Sequence, residues 1–260
     1  LLCSTERPRS RVTAAEGTPP HMIGWTDQLP ACTVIIPSPG ETTRFSTFEL
    51  CLGGLHAPNG SQLLRVQGAS IAKNVNDAIR LSQTKFYFMM DDDHQFDPHV
   101  LLALMAHNLP VVVGLTILKM PPFMPTIFAS ERTTAEGNTQ YMPFSLGDID
   151  GKSGLYGPIW ACGRAGMLIK REVFEAIPPP WFELGKTNPE EAGEDFWFCS
   201  KLRAASIPIM CDLDVPFGHI ATCAAWPYRH EDGTWAIRLE WANGTSIMIN
   251  RANVKAGPVV

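Results

Sequence analysis

Three consecutive aspartates, Asp91–Asp93, follow directly after the apolar run 86–90. Carboxylates this close repel one another unless a cation compensates, and a hard divalent ion on oxygen ligands does so well. The apolar run lacks polar alternation, which predicts a strand covered on both faces, as in a parallel sheet. Ligands of open α/β sheets bind beyond the carboxyl ends of such strands. The sequence therefore predicts a divalent metal site here, with a solvated acidic turn as the alternative.

A helix–loop–helix calcium site is excluded at the same position. Asp91, Asp93, Gln95 and Asp97 alternate suitably for such a loop. The motif also requires glycine at its sixth position and glutamate at its twelfth, where this chain has Phe96 and Leu102.

Alternating strands and helices are predicted around the aspartates. The β-branched run 32–37 is typical of a buried strand, and the turn residues Ser-Pro-Gly follow it. Apolar residues at helical spacing predict helices over 70–81 and 98–107, the first with a serine N-cap. A further buried strand is predicted at 111–114. This order is typical of an α/β domain with a parallel sheet.

The chain divides into three predicted regions. Residues 1–30 are rich in proline, threonine and arginine and are interpreted as a loosely ordered leader. Residues 31–225 form the predicted domain. Residues 226–260 are predicted to form a C-terminal β-hairpin extension, because two alternating runs flank Asn243-Gly244.

The segment from Gly68 to Asp93 resembles the family 2 type of GT-A glycosyltransferases. In those enzymes a strand ending in proline precedes an "A-R-N" helix and a strand that closes on a D-x-D motif. Here Pro37 ends the first strand, Lys73 replaces the arginine of the helix motif, and Asp91–Asp93 supply the D-x-D motif. The resemblance covers roughly residues 32–222. It implies a single GT-A-like α/β domain, Rossmann-like, with a mixed, mainly parallel sheet.

The resemblance also implies a nucleotide-sugar donor site and a metal ion. Asp91 would approach the ribose or base, and Asp93 would bind Mn²⁺ or Mg²⁺ bridging the two phosphates, with Asp91 as a further metal ligand. Glu41 falls where the family often touches the nucleobase. A position in a surface loop is an equally good interpretation of Glu41. The implied donor-binding residues are Pro37, Glu41, Lys73, Asp91, Asp92 and Gly163.

Two later motifs extend the resemblance. Glu194-Asp195 is similar to the "E-D" element that opens a helix below the acceptor site, so Asp195 is the expected general base and Glu194 its supporting residue. Both carboxylates could instead only stabilise a helix N-terminus. Many GT-A enzymes complete the metal site with a downstream histidine, and His219, expected in a Gly-His-Ile turn after a strand, matches in order and spacing; a purely structural histidine is the alternative. Trp181 could stack on a sugar or form part of a packed hinge.

The predicted function is metal-dependent transfer of a sugar, of hexosyltransferase type, from a nucleotide-diphosphate sugar to a hydroxyl acceptor. Among donors the resemblance favours UDP-sugars. The acceptor hydroxyl could belong to a soluble protein, a small molecule or a modified DNA base, as for phage-encoded glycosyltransferases. A sugar-phosphate nucleotidyltransferase is an alternative, but it should carry a basic glycine-rich loop, and 38–41 is not that loop. A non-catalytic nucleotide- or carbohydrate-binding module is the third hypothesis.

Composition limits the partners and the compartment. The net charge of −5 and the absence of a dense Lys/Arg run disfavour a protein that binds nucleic acid over its whole surface. Apolar runs such as 111–118 are far shorter than the ~20 residues of a membrane-spanning helix, so no membrane partner is expected. The seven scattered cysteines contain no C-x-x-C pair. These features predict a cytoplasmic protein, in the host cytoplasm if it is phage-encoded.

Overall fold

The computed structural model describes residues 12–14, 29–38, 45–68, 70–133, 135, 137, 139–184 and 193–250. Glu41, a predicted donor contact, lies outside the described residues, as does most of the predicted leader. The strands are β1 (Val12–Ala14), β2 (Cys32–Ser38), β3 (Gln62–Gln67), β4 (Phe86–Met89), β5 (His94–Phe96), β6 (Val111–Leu115), β7 (Ile127–Thr133), β8 (Thr139–Pro143), β9 (Leu155–Ile159), β10 (Ala161–Cys162), β11 (Met167–Lys170), β12 (Ile209–His219), β13 (Ala224–Arg229), β14 (Trp235–Glu240) and β15 (Ser246–Asn250). The helices are α1 (Ser46–Gly53), α2 (Ile71–Leu81), α3 (Val100–Ala106), α4 (Leu146–Ile149), α5 (Arg171–Ala176) and α6 (Glu194–Ala204).

The large central sheet has the strand order β1-β3-β2-β4-β11-β6-β12-β5, and β9 also pairs with β12. Strand β2 runs parallel to β3 and β4, and β6 runs parallel to β12. Strand β11 lies between β4 and β6, antiparallel to both. Strands β3, β2, β4, β6 and β12 therefore share one direction, which confirms the predicted mixed, mainly parallel sheet.

Both faces of the sheet are buried, which explains why its central strands lack polar alternation. Alternate residues of β4 enter different cores: Tyr87 and Met89 pack in one cluster, and Phe86 and Phe88 pack in the other. The first cluster includes residues of α2, α5 and α6, whereas the second includes residues of α1 and α3. The sheet thus forms the middle layer of a three-layer α/β domain.

Helix α2 begins where the sequence predicts, because the hydroxyl of Ser70 accepts a hydrogen bond from the backbone N–H of Lys73. Its buried Asn76 connects the helix to the loop after α5. The Asn76 side-chain oxygen accepts hydrogen bonds from the backbone N–H groups of Trp181, at 2.9 Å, and Phe182, at 3.2 Å. Its amide nitrogen donates to the Phe182 carbonyl at 2.7 Å. The polar residue is thereby satisfied inside the core.

The C-terminal region adds a separate three-stranded antiparallel sheet, β13-β14-β15. Strands β14 and β15 pair across the turn that contains Asn243-Gly244, with Ile237 opposite Ile249. Strand β13 adds a third strand that the sequence pattern did not predict. Within the predicted leader, β1 pairs antiparallel with β3 at the sheet edge. The division at residues 30 and 225 remains a prediction.

Two glycines make room for the ring of Phe217 near the end of β12. A Cβ atom built on Gly114 would lie 2.3 Å from the Phe217 ring and 2.5 Å from the Val215 carbonyl oxygen. A Cβ on Gly166, where φ is +75°, would lie 2.7 Å from the same ring. Only glycine fits this close approach, which brings the end of β12 against β6 and β11.

Candidate active site

One edge of the central sheet gathers the polar residues. The carboxyl ends of β2, β4, β6 and β12 meet there because these strands run the same way. Strand β11 runs in the opposite direction, so its first residues reach the same edge. The residues at this edge are Ser38, Asp91, Asp92, Asp93, Lys119, Arg164 and His219.

Asp93 lies at the centre of the site and is buried. Its backbone carbonyl accepts a 2.7 Å hydrogen bond from the N–H of Ile220, which fixes the loop after β4 against the end of β12. Its carboxylate Oδ2 lies 3.4 Å from His219 Nε2 and 3.1 Å from Lys119 Nζ. Burial alone would raise the pKa of Asp93, but its close contacts with His219, His94 and Lys119 hold the pKa well below its usual range. The side chain is therefore ionised, as a metal ligand must be.

Two histidines flank this carboxylate. His219 is the last residue of β12 and pairs with His94 of β5, so the expected turn at His219 is wrong. The chain remains extended there because β5 returns antiparallel beside it. The two imidazoles stack with ring centroids 4.4 Å apart. One ligand atom each from Asp93, His94 and His219 lies within 4.8 Å of the others.

A backbone contact orients the imidazole ring of His219. Its Nδ1 lies 2.9 Å from the carbonyl oxygen of Ile117, which can only accept, so Nδ1 carries the proton. The Nε2 atom faces Asp93 Oδ2 at 3.4 Å, and a metal ion held by both residues would replace this contact. This arrangement is how a protein orients a metal-binding histidine.

His94 was not predicted from sequence, although it directly follows the three aspartates. Its side chain is buried, and Nδ1 lies 3.2 Å from Asp93 Oδ1. Among the described residues, neither ring nitrogen of His94 has a hydrogen-bond partner. A buried polar atom without a partner is costly, and a metal ion held with Asp93 and His219 would satisfy one of these nitrogens. Two imidazoles and one carboxylate suit first-row divalent ions, including Mn²⁺, better than Mg²⁺, which prefers oxygen ligands.

Asp91 and Asp92 have other partners. The Arg164 guanidinium contacts the Asp91 carboxylate, and Asp91 is not in the metal-ligating group of the described residues. The hydroxyl of Ser38 donates to Asp92 Oδ2 at 3.3 Å, which connects the ends of the parallel strands β2 and β4. The roles of Asp91 and Asp92 toward a donor remain predictions.

Arg164 connects the aspartate motif to the second acidic motif. Its guanidinium is buried, and Nη2 lies 3.9 Å from Glu194 Oε1 as well as in contact with Asp91. Its backbone N–H donates to Asp195 Oδ2 at 3.3 Å. One buried cation thus lies among three carboxylates and interacts electrostatically with each of them. The signal in the sequence was a single arginine inside the small-residue segment 162–166.

Asp195 begins α6 together with Glu194, as predicted, and Gly193 is the N-cap residue. Burial and the neighbouring charge of Glu194 raise the pKa of Asp195 to about 6, against the lowering effect of Arg164. A carboxyl with this pKa can accept a proton near neutral pH. A Cβ atom built on Gly163 would lie 3.9 Å from Asp195 Oδ2, so Gly163 borders this carboxylate.

The remaining predicted residues lie on β2, on α2 and in the loop after α5. Pro37 is the penultimate residue of β2. Lys73 is on α2, where its ammonium pairs with Asp77 and its side chain is 61% exposed. The Trp181 indole N–H donates to the carbonyl oxygens of Phe174 and Ile177 at 3.0 and 3.1 Å. This packing favours the hinge interpretation of Trp181 over a sugar-stacking role.

Comparisons with known proteins identify the fold. No protein-family model matches the sequence, and no curated protein matches it. GalNAc-T7, solved with UDP, GalNAc and Mn²⁺, is 12% identical with a TM-score of 0.51; the overlap covers 79% of this chain and 44% of GalNAc-T7. This likeness shows that the chain has the fold of the GT-A glycosyltransferases.

Two further solved structures overlap with the chain. A197 from STIV is 15% identical with a TM-score of 0.43, over 88% of this chain and 98% of A197. The 1–349 fragment of S. aureus TarS is 12% identical with a TM-score of 0.44, over 73% of this chain and 60% of the fragment. Among the described residues, no helix combines the length and the apolar character that crossing a membrane requires.

Proposed function

We propose that this chain is a metal-dependent glycosyltransferase that transfers a sugar from a nucleotide-diphosphate sugar to an acceptor hydroxyl. The observation that carries the proposal is the group of buried Asp93, buried His94 and half-buried His219 at the carboxyl edge of a GT-A sheet. Arg164 connects this edge to a carboxyl whose pKa is raised toward neutrality, that of Asp195. Glycosyl transfer needs both a charge-compensating site for a leaving group and a base for the acceptor.

Asp93, His94 and His219 would hold the metal ion, which we expect to be Mn²⁺ rather than Mg²⁺ because two of the three ligands are imidazoles. A bound divalent ion supplies Lewis-acid compensation of the negative charge that develops on the departing diphosphate. The low pKa of Asp93 keeps this ligand ionised, and the Ile117 contact directs the Nε2 atom of His219 toward Asp93.

Asp195 is the proposed general base, and Glu194 supports it. As the acceptor oxygen forms its bond to the anomeric carbon, Asp195 accepts the hydroxyl proton. The bond between the anomeric carbon and the phosphate oxygen breaks, and the diphosphate leaves with the electron pair. A direct displacement of this kind needs the base only on the acceptor side.

The donor is proposed to be a UDP-sugar carrying a hexose. GalNAc-T7 was solved with UDP, and the resemblance around Asp91–Asp93 supports the same donor class here. Pro37, Lys73, Asp91, Asp92 and Gly163 are the proposed donor contacts. The acceptor hydroxyl is proposed to belong to a protein, a small molecule or a modified DNA base.

A donor screen tests the proposal. The purified chain with Mn²⁺ is incubated with UDP-, GDP- and dTDP-sugars, and release of the nucleoside diphosphate is measured with and without acceptor mixtures. The proposal expects release from one nucleotide class, well above that of an Asp93→Asn variant. Release of pyrophosphate from a nucleoside triphosphate and a sugar phosphate would instead identify a nucleotidyltransferase. Binding of a nucleotide sugar without turnover under any condition would identify a binding module.

A further inference from the structure

The metal-binding carboxylate already has a cation beside it. Lys119 follows β6 and its ammonium lies 3.1 Å from Asp93 Oδ2. The same oxygen lies 3.4 Å from His219 Nε2 and belongs to the group of potential metal ligands. Lys119 therefore contacts the oxygen that a metal ion on Asp93 and His219 would use.

In this ion pair the Asp93 side chain is enclosed, whereas the Lys119 side chain has room to move. The Asp93 side chain is 5% exposed, whereas the Lys119 side chain is 42% exposed. The neighbouring side chains of Leu118 and Met120 are also exposed. A cavity of about 240 Å³, lined by Phe45, Met120, Ile220, Thr222 and Trp241 among others, borders Lys119 and leaves room for its side chain to move.

Electrostatics accounts for two positions of the Lys119 ammonium, one beside Asp93 and one beside a bound diphosphate. A buried carboxylate without a counter-charge is strongly destabilising, so the ammonium compensates Asp93 in the metal-free protein. A divalent cation and an ammonium on one oxygen repel each other, so metal binding weakens the contact between Lys119 and Asp93. The released ammonium stays beside the metal site, where a diphosphate would bring several anionic oxygens.

We infer that Lys119 is a displaceable counter-ion, which pairs with Asp93 when the metal is absent and with the diphosphate of the nucleotide when the metal is bound. The nucleotide half of this inference rests on the proposed function. The inference assigns Lys119 two opposite effects, because it competes with the metal ion but assists the nucleotide.

Two titrations of the purified chain separate these effects. Mn²⁺ binding to the nucleotide-free protein and UDP binding at saturating Mn²⁺ are measured by calorimetry for the wild type and the Lys119→Met variant. The variant should bind Mn²⁺ about two- to fivefold more tightly, since an ion pair of this exposure contributes at most about that factor. It should bind UDP about tenfold or more weakly, since it lacks a charge-assisted hydrogen bond.

The controls distinguish a local effect from a general one. Lys119→Arg keeps the charge and should retain most of the UDP affinity. Lys152→Met removes an exposed lysine whose ammonium lies on the Tyr156 ring, and should change neither titration. Weaker Mn²⁺ binding by Lys119→Met, or unchanged UDP binding, would overturn the inference. If the wild type binds Mn²⁺ but no nucleoside diphosphate, the proposed function fails, while the Mn²⁺ titration still decides whether Lys119 is the counter-ion.

Discussion

Two aspartates of this site have opposite electrostatic environments, although both lie at the same edge of the sheet. The pKa of Asp93 is held low by imidazoles and an ammonium, whereas the pKa of Asp195 is raised by burial and by Glu194. A group that must stay ionised and a group that must exchange a proton are thereby separated within one edge of a sheet. The residue-scale predictions follow from this difference.

Replacing the proposed base should abolish transfer without harming the fold. Asp195→Asn keeps an oxygen for the backbone N–H of Arg164 but cannot accept a proton. We expect transfer to fall by about 10²–10⁴-fold, with Mn²⁺ and UDP binding close to wild type by calorimetry. A variant with near-normal transfer would move the base elsewhere, with Glu194 the next candidate, and loss of UDP binding would make Asp195 a donor contact.

The raised pKa of Asp195 also predicts a change in stability. Its folded pKa of about 6 exceeds the value of about 4 for an unfolded aspartate, so the folded state binds this proton more tightly. Ionisation of Asp195 therefore opposes folding, with an effect that is absent below about pH 4 and complete above about pH 6. Asp195→Asn should raise the melting temperature at pH 7.5 relative to wild type. Thermal melts at pH 4 and pH 7.5 check this, and a lower melting temperature at pH 7.5 would contradict it.

The same pKa sets the pH dependence of the reaction. The base is active when deprotonated, so transfer with saturating donor should increase as pH rises through about 6 and level off above it. A pH series with a fixed, non-chelating buffer set measures the profile. A rate that stays constant from pH 5 to pH 8 would be inconsistent with Asp195 as the base.

Both histidines of the proposed metal site should affect metal binding. His94→Ala and His219→Ala should each raise the Mn²⁺ concentration for half-maximal nucleotide release by about tenfold or more, because each removes a ligand. His99→Ala is the matched control, since His99 is an exposed histidine paired with Asp97. If a variant loses thermal stability while its Mn²⁺ curve stays unshifted, that histidine is structural and not a ligand.

At the scale of elements, the sequence predicts the strands and helices whose formation depends on the local pattern of apolar and capping residues. The buried strands β2, β4 and β6, the helix α2 with its Ser70 cap, and the start of α6 follow from apolar spacing and capping chemistry. The position of β11 does not follow, because its four residues carry no signal for which strands they join. Its insertion between β4 and β6 is decided by tertiary packing.

Long-range contacts also explain which site residues sequence reasoning missed. Asp93 and His219 were predictable because they belong to a recognisable order of motifs. Lys119 is 26 residues from Asp93 and has no local feature that distinguishes it from a surface lysine. Arg164 reaches Asp91 only because β11 runs antiparallel and begins at the edge where β4 ends.

The packing of Phe217 gives the element-scale prediction. Gly114→Ala would place a methyl group inside the Phe217 ring and against the Val215 backbone. We expect a loss of about 1–3 kcal/mol or more in the free energy of unfolding, typical of overpacking, measured by urea denaturation. Gly53→Ala, where no atom lies within 4 Å of the new Cβ at the end of α1, is the control and should be neutral or slightly stabilising. Equal urea midpoints for the two variants would contradict the close packing of Phe217 against Gly114.

The whole chain has a negative net charge, but local cations lie at one edge of its central sheet. The chain has a net charge of −5, yet Lys119 and Arg164 meet the carboxylates of the candidate site. An anionic donor would therefore depend on these local charges and on the metal ion rather than on the overall field. The GT-A sheet positions the local charges and the proposed metal ligands, because five of its strands end or begin at the edge where the chemistry is proposed.

Reversible metal dependence of nucleotide release is the most direct test of this account. The protein is stripped with EDTA and dialysed, and release of the nucleoside diphosphate from the donor found in the screen is followed before and after Mn²⁺ is added. The account predicts release near background in the stripped wild type, recovery with Mn²⁺, and no recovery in Asp93→Asn at the same Mn²⁺ concentration. Full turnover in the presence of EDTA would contradict it.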